Sequence, residues 1–180
     1  MSQSVADELV AALSGFDGAL EVGIGRRTTA ATQLAAAGTS VVAIDVDSEV
    51  VDYVGSDAVG DVPESVAFAE ADVRELAGAA DPVAEIRSRV VEGSSDSDAS
   101  PPTSTPIPPE FDLVYALNLP AELQRPTVAL AERLDAVCAF TTLGFEEPVV
   151  NVSRKTVGTE TLYVASDRGK VGDAFDSSHR

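Results

Sequence analysis

The sequence predicts an α/β protein: a mostly parallel sheet, helices on both of its faces, and an antiparallel hairpin at the C-terminal end. Three observations carry this expectation. Short apolar runs alternate with stretches of helical period, which implies right-handed crossovers between parallel strands. "SVVAIDV" (40–46) is apolar almost throughout, as in a strand covered on both faces. Near the end, "VVNVSRK" and "ETLYVAS" flank Thr156-Val157-Gly158-Thr159, two β segments joined by a turn.

Taken in order, Val5, Leu9 and Leu13 recur at helical spacing until Ser14-Gly15 stops the pattern. A strand covers about 19–23, and an alanine-rich helix over about 28–37 ends at Gly38. The second strand is 40–46, followed by a short helix near 48–54. "SVAFAEADV" is the third strand, with a helix over 82–91 after it, and "FDLVYALNLP" (111–120) is the fourth. Pro126 suits the first turn of the next helix, which has Val128, Ala131 and Leu134 on one face. "AVCAFTTL" is the fifth strand. Between 92 and 110 the composition changes sharply: "GSSDSDASPPTSTPIPP" has Ile107 as its only large apolar residue. Such a segment cannot bury enough surface to offset its ordering entropy. The expected organisation is a single domain over 1–166 with a disordered Ser/Asp/Pro insertion at about 93–109, then a flexible acidic tail over 167–180.

The charge balance is unusual. Thirty Asp and Glu oppose twelve Lys and Arg, a net charge of -18 on 180 residues. A polyanionic face for a basic partner would cluster the acids, yet they occur in almost every segment. A spread carboxylate coat suits molar salt, where self-repulsion is screened within about 3 Å. The acidity therefore reads as halophilic. It does not exclude an RNA partner, because counterion release has largely collapsed at such salt. Cys138 is alone, so no intramolecular disulfide forms, and its setting in "AVCAF" reads as core. The only histidine, His179, is next to the C-terminus, so no Ser-His or Cys-His dyad and no His/Cys zinc cluster is arguable. No acid spacing specifies a magnesium site. No basic region precedes an apolar run at the N-terminus and no segment approaches the length of a membrane span. A soluble cytoplasmic protein that does not enter a membrane is expected.

Parallel strands end along one rim, where ligands bind in open α/β sheets. Glu21, Gly23 and Gly25 stand at the turn after the first strand, and glycines permit positive φ and close approach of a ligand to bare backbone. Asp45 ends the second strand, where an acid can accept both hydroxyls of a ribose. Asp72 follows the third strand and Asn118 to Pro120 the fourth. Each has a plainer reading. The glycines make a tight turn, Asp72 caps a helix beginning at Val73, and Asn118 satisfies a turn. Together they outline a nucleoside-shaped pocket. A dinucleotide fingerprint wants a third glycine where this chain has Thr28, which argues against NAD. Arg26 and Arg27 stand at a helix N-terminus, where cations repel the dipole unless they meet an anion: either surface acids, or the carboxylate or phosphate of a ligand.

"LEVGIG", "VVAIDV", "AEADVREL" and "FDLVYALNLP", in that order, resemble the signature segments of class I S-adenosylmethionine-dependent methyltransferases. The resemblance implies a Rossmann-like, methyltransferase-type sheet with S-adenosylmethionine as cofactor. Glu21, Gly23 and Gly25 would meet its methionine end, Asp45 its ribose and Asp72 its adenine amino group, whereas Arg26 and Arg27, the candidate anion clamp, are what the resemblance explains least well. Asn118 with Pro120 resembles part of the Asn-Pro-Pro-aromatic signature that orients a target nitrogen, which makes Asn118 the candidate catalytic residue. Leu119 replaces the middle proline, no aromatic follows Pro120, and Arg27 stands where a third loop glycine is common.

From end to end the chain is also similar to a small uncharacterised archaeal family, uncharacterised protein family 0146. The family resembles a shortened methyltransferase. Glu21, Val22, Gly23, Gly25, Arg26, Tyr115, Pro120, Ala121, Glu122, Arg154 and Lys155 carry that similarity, and the Ser/Pro insertion looks like an addition of salt-loving members. That family brings no settled activity. Two readings stand: an S-adenosylmethionine-binding methyltransferase, and a non-catalytic Rossmann-like module that binds a nucleotide or a partner through the same rim. The halophilic reading makes its own prediction. Circular dichroism should show loss of structure as salt falls below roughly physiological strength, where screening lengthens to about 8 Å. A chain that stays folded in dilute buffer would contradict it.

Overall fold

The computed structural model describes residues 5–56, 62–90, 107–144 and 146–165. The element order is α1 (Val5–Leu13), β1 (Gly18–Val22), α2 (Thr29–Ala36), β2 (Ser40–Asp45), α3 (Ser48–Val54), β3 (Val66–Glu70), α4 (Val73–Gly78), α5 (Pro82–Arg89), β4 (Leu113–Ala116), α6 (Ala121–Arg133), β5 (Val137–Phe140), β6 (Ser153–Val157) and β7 (Glu160–Ala165). One seven-stranded sheet has the order β3-β2-β1-β4-β5-β7-β6. The first five of these strands run parallel; β7 pairs antiparallel with both β5 and β6. The expected mixed sheet with an antiparallel terminal hairpin is what forms.

Strand side chains alternate between faces, and the apolar runs fill both. Ala19, Val41, Ala43, Val66, Phe68, Leu113, Tyr115, Ala139, Leu162 and Val164 pack with α1, α2 and α3. Leu20, Val22, Val42, Ile44, Ala67, Ala69, Val114, Ala116, Cys138, Phe140 and Tyr163 pack with α4, α5 and α6. Among the described residues three helices therefore cover each face. Burial pushes the Cys138 thiol up to about 12, with the charge of Glu132 adding to it, which leaves a core sulfur rather than a nucleophile.

Between β5 and β6 the described residues form no helix and pass over α6. Val150 and Val152 pack on the second core, and the fully buried Gln124 of α6 accepts a hydrogen bond from Val149 N at 2.7 Å. On the same face Arg133 donates to the carbonyls of Ala77 and Ala80, and Arg89 bridges Glu75 and Glu85. Most of the expected insertion at 93–109, and the tail at 167–180, lie outside the described residues. Ile107 to Pro109 are held: Ile107 packs on the second core, and Arg87 donates to the carbonyls of Pro108 and Pro109.

Two elements differ from the sequence reading. The third strand stops at Glu70 and α4 takes up the rest of its apolar run, because Asp72 accepts a hydrogen bond from Arg74 N and caps a helix at Val73. Helix α6 begins at Ala121, so Pro126 sits inside it rather than in its first turn. Pro120 sets that start by holding φ -63° and ψ 151° at the N-cap. Pro126 offers no N–H to the Glu122 carbonyl four residues back. Next to it, the Thr127 hydroxyl donates to the Leu123 carbonyl at 2.7 Å. Pro126→Ala should therefore stabilise the fold by about 1–2 kcal/mol, a gain in helix propensity partly offset by a freer unfolded chain. A urea midpoint that rises in molar salt would show it, and an unchanged or lower one would contradict it.

Candidate functional site

The chain lays down β1, β2 and β3 to one side of the sheet, then returns to place β4 and β5 on the other. The order reverses between β1 and β4, and a crevice at such a switch point is where open α/β sheets bind ligands. Backbone bonds close the rim on either side of it. Gly23 N and Ile24 N both donate to the Ile44 carbonyl, and Ala71 N donates to the Asp45 carbonyl. On the other side Asn118 N donates to Thr141 Oγ1 at 2.8 Å and Leu119 N to the Thr141 carbonyl. Among the described residues no hydrogen bond joins the loop after β1 to the loop after β4.

Gly23 and Gly25 have φ of 71° and 55°, the left-handed region that side chains disfavour, and a Cβ on either would meet no atom within 4 Å. The loop thus needs glycine for its backbone, and the space beside it is open. Asp45 secures this shape. Its Oδ2 accepts from Gly25 N at 3.0 Å and its Oδ1 from Asp47 N at 3.1 Å. A carboxylate offers about four lone-pair sites, so capacity remains for a ligand hydroxyl. Next to Asp45, Val46 is 65% exposed.

Glu21 lies deeper than the rim, 2% exposed, with its Oε2 accepting from the Tyr115 hydroxyl at 2.7 Å. The two residues are register partners on β1 and β4, and point to the same face. Burial pushes the Glu21 carboxyl up to about 8, with the Tyr115 bond pulling the other way, so at neutral pH it is mainly the uncharged acid. The Tyr115 phenol is raised well above its ordinary range by burial and then by Glu21.

The remaining sequence-derived residues occupy the rim with varied commitments. Asp72 is a helix cap, with Oδ1 accepting from Arg74 N at 2.8 Å and the Arg74 guanidinium 3.8 Å from Oδ2. Asn118 takes φ 58°, a conformation that asparagine tolerates better than most residues, and Thr141 holds its amide. Arg26 lies over the ring of Tyr53 on α3, 5.4 Å from its centroid, and Arg27 is exposed. Neither arginine pairs with an acid among the described residues. Thr28 is the N-cap of α2 but makes no side-chain cap bond, and Pro120 makes none for α6. By contrast, Asp47, Asp72 and Asp81 cap α3, α4 and α5. The two helices that leave the switch point therefore keep free N–H groups and the positive end of the dipole. Sequence reading missed three supports: Thr141, Tyr53, and Tyr115 as the partner of Glu21. For Thr141 a signal existed, a polar pair ending the apolar run "AVCAF". Among the described residues no three His, Cys, Asp or Glu stand together as a metal site, and no helix is long and apolar enough to cross a membrane.

Fold and rim together define a Rossmann-like α/β protein with a methyltransferase-like fold. A mutant of MtNAS in complex with S-adenosylmethionine aligns with a TM-score of 0.56 at 16% identity, covering 89% of this chain and 60% of that one. The magnesium protoporphyrin IX methyltransferase of Synechocystis, solved with bound S-adenosylmethionine, aligns at 0.51 and 14% identity, covering 88% and 76%. At such identities the likeness is one of fold. The sequence places the chain more narrowly. Residues 98–168 match the model of an uncharacterised protein family, UPF0146, and a UPF0146 protein of Halobacterium salinarum is 35% identical over 160 residues, 88% of this chain and 95% of its own length. The chain belongs to UPF0146.

The Glu21 carboxyl gives stability a defined pH dependence. Its pKa is higher folded than unfolded, so between about 4.5 and about 8 the folded protein holds a proton that the unfolded chain has released. This contribution is complete below the unfolded value and is lost as pH rises through the folded one, at up to about 1.4 kcal/mol per pH unit. Urea melts across that window should show the slope in the wild type and its removal in Glu21→Gln. Equal slopes in both would contradict a protonated Glu21.

Proposed function

We propose that this chain is an S-adenosylmethionine-binding protein of methyltransferase type, with the cofactor in the crevice between β1 and β4. The observation that carries the reading is the pair of uncapped helix N-termini beside that crevice, where the other capped helices all use an aspartate. Open space beside Gly23 and Gly25 fits a ligand against bare backbone. The solved neighbours with S-adenosylmethionine support the same choice.

In this reading the loop at Gly23 and Gly25 and the α2 N-terminus meet the methionine end, above the uncharged Glu21. The remaining lone pairs of Asp45 accept the ribose hydroxyls, and exposed Val46 covers one face of the adenine. Asp72 accepts from the adenine amino group beside its cap bond. Bound S-adenosylmethionine supplies an electrophilic methyl group. Asn118, fixed by Thr141, orients the acceptor through its amide and carbonyl. Among the described residues no strong general base stands at the rim, so the chain's contribution is alignment, which alone lowers a barrier by several kcal/mol, up to about 7–11. A second reading, a nucleotide-binding module without turnover, is favoured by Arg26 and Arg27, which meet no acid among the described residues.

Calorimetry in molar potassium chloride separates these readings. Saturable binding of S-adenosylmethionine and S-adenosylhomocysteine, lost in a folded Asp45→Ala variant, is the expected result. Affinity weaker than about millimolar for both, beside tighter binding of ATP or NAD, would replace the first reading with the second.

A further inference from the structure

At the first turn of α6, four hydrogen-bond donors stand without an acceptor among the described residues. Two belong to the backbone. Pro120 makes no side-chain cap bond, and Leu123 N donates to the Pro120 carbonyl at 3.0 Å. The N–H groups of Ala121 and Glu122 remain, as orphans of the helix start. The third donor is on Gln124, whose side chain is fully buried. Its Oε1 accepts from Val149 N, and its Nε2 meets no acceptor. The fourth is the hydroxyl of Thr141, 4% exposed. Its Oγ1 accepts from Asn118 N at 2.8 Å, and its own O–H makes no hydrogen bond among the described residues.

These donors share one corner of the rim. Thr141 follows β5 and holds both Asn118 N and Leu119 N, the residues that lead into α6. The segment that leaves β5 at Thr141 returns to α6 at Val149, on Gln124. Nine residues beyond Gln124, half a turn round the helix, Arg133 reaches the carbonyls of Ala77 and Ala80 on the α4 side. Gln124 therefore faces the β5 side of α6, where Thr141 stands, and helix side chains lean towards the N-terminus. A buried donor left unmet is costly, and four donors at the positive end of a helix without one acceptor call for an anion. A carboxylate offers about four lone-pair sites on two oxygens, and it is flat enough to enter between a helix and a strand end. Glu122, the acid of this turn, is exposed. We propose that the α6 turn, with Thr141 and Gln124, is a carboxylate subsite, so that the methyl acceptor is a small carboxylic acid that presents a nitrogen to the neighbouring Asn118. The acceptor role rests on the reading above; the carboxylate site stands apart from it.

Amide-detected NMR in molar potassium chloride tests the subsite, with acetate as the probe. The side-chain amide of Gln124 and the N–H signals of Ala121 and Glu122 are expected to shift together and saturate, with a dissociation constant of about 10 mM. Acetamide, similar in shape but uncharged, should bind at least about tenfold more weakly. Thr141→Ser keeps the hydroxyl and should keep acetate binding, whereas Thr141→Val should weaken it about tenfold. Gln124→Glu keeps an oxygen for Val149 N but replaces the donor with a charge. It should abolish binding, read at Ala121 and Glu122 in a spectrum that retains its folded dispersion. The subsite is overturned by the absence of a saturable shift at these three groups in the wild type, or by acetamide binding as tightly as acetate. Tighter binding of inorganic phosphate than of acetate would overturn the carboxylate in favour of a phosphorylated acceptor. If acetate binds and S-adenosylmethionine does not, the subsite stands and the methyltransferase reading fails. If S-adenosylmethionine binds and acetate leaves these signals unmoved, the subsite alone is wrong.

Discussion

Strand β1 is buried along its whole length, pairs on both edges, and carries a carboxyl in its penultimate position. Charged, that carboxyl would face a large desolvation cost in a strand covered by helices. The phenol of Tyr115 on the neighbouring strand and a retained proton keep it in place. Along the sheet, Glu21 sits in a row with Phe68, Ala43, Tyr115, Ala139 and Val164, all facing one core. The bond between Glu21 and Tyr115 crosses the β1–β4 junction, where the strand order reverses. It thus ties the two halves of the sheet together at the switch point.

Above that bond, the same side chains build the fold and shape the site. Asp45 ends a strand, accepts from the glycine loop, and keeps lone pairs free. Thr141 ends another and fixes Asn118 in a left-handed conformation. Backbone hydrogen bonds hold both halves of the rim, and the α2 and α6 N-termini follow the two strands on either side of the switch point. A ligand there would meet preformed N–H groups and pay little to order them.

The acidic composition leaves a mark on how arginine is used. Exposed ion pairs are worth about 0–1 kcal/mol and less in salt. Arg133 and Arg87 instead satisfy carbonyls at a helix end and at the Pro108–Pro109 junction. Such contacts depend less on ionic strength, and they hold the helices against a core rich in alanine and valine.

Periodicity and composition in the sequence determined the alternating elements, the double coverage of the strands, the terminal hairpin and the positions of the rim residues. Those features are local: an apolar run of six, a glycine after a helix, an acid after a strand. The family similarity was legible too, in the loop after the first strand and in "LVYALNLPAE". Tertiary structure decided what each rim residue is engaged with. Asp72 is a cap because a helix starts beside it, although its run of residues suits a strand equally well. Pro126 stands inside α6 because Pro120 sets the start, a choice that depends on where β4 ends. The pairing of Glu21 with Tyr115 spans 94 residues of sequence and exists only through the register of β1 on β4. Register and strand order are properties of the assembled sheet, so no stretch of sequence taken by itself contains them.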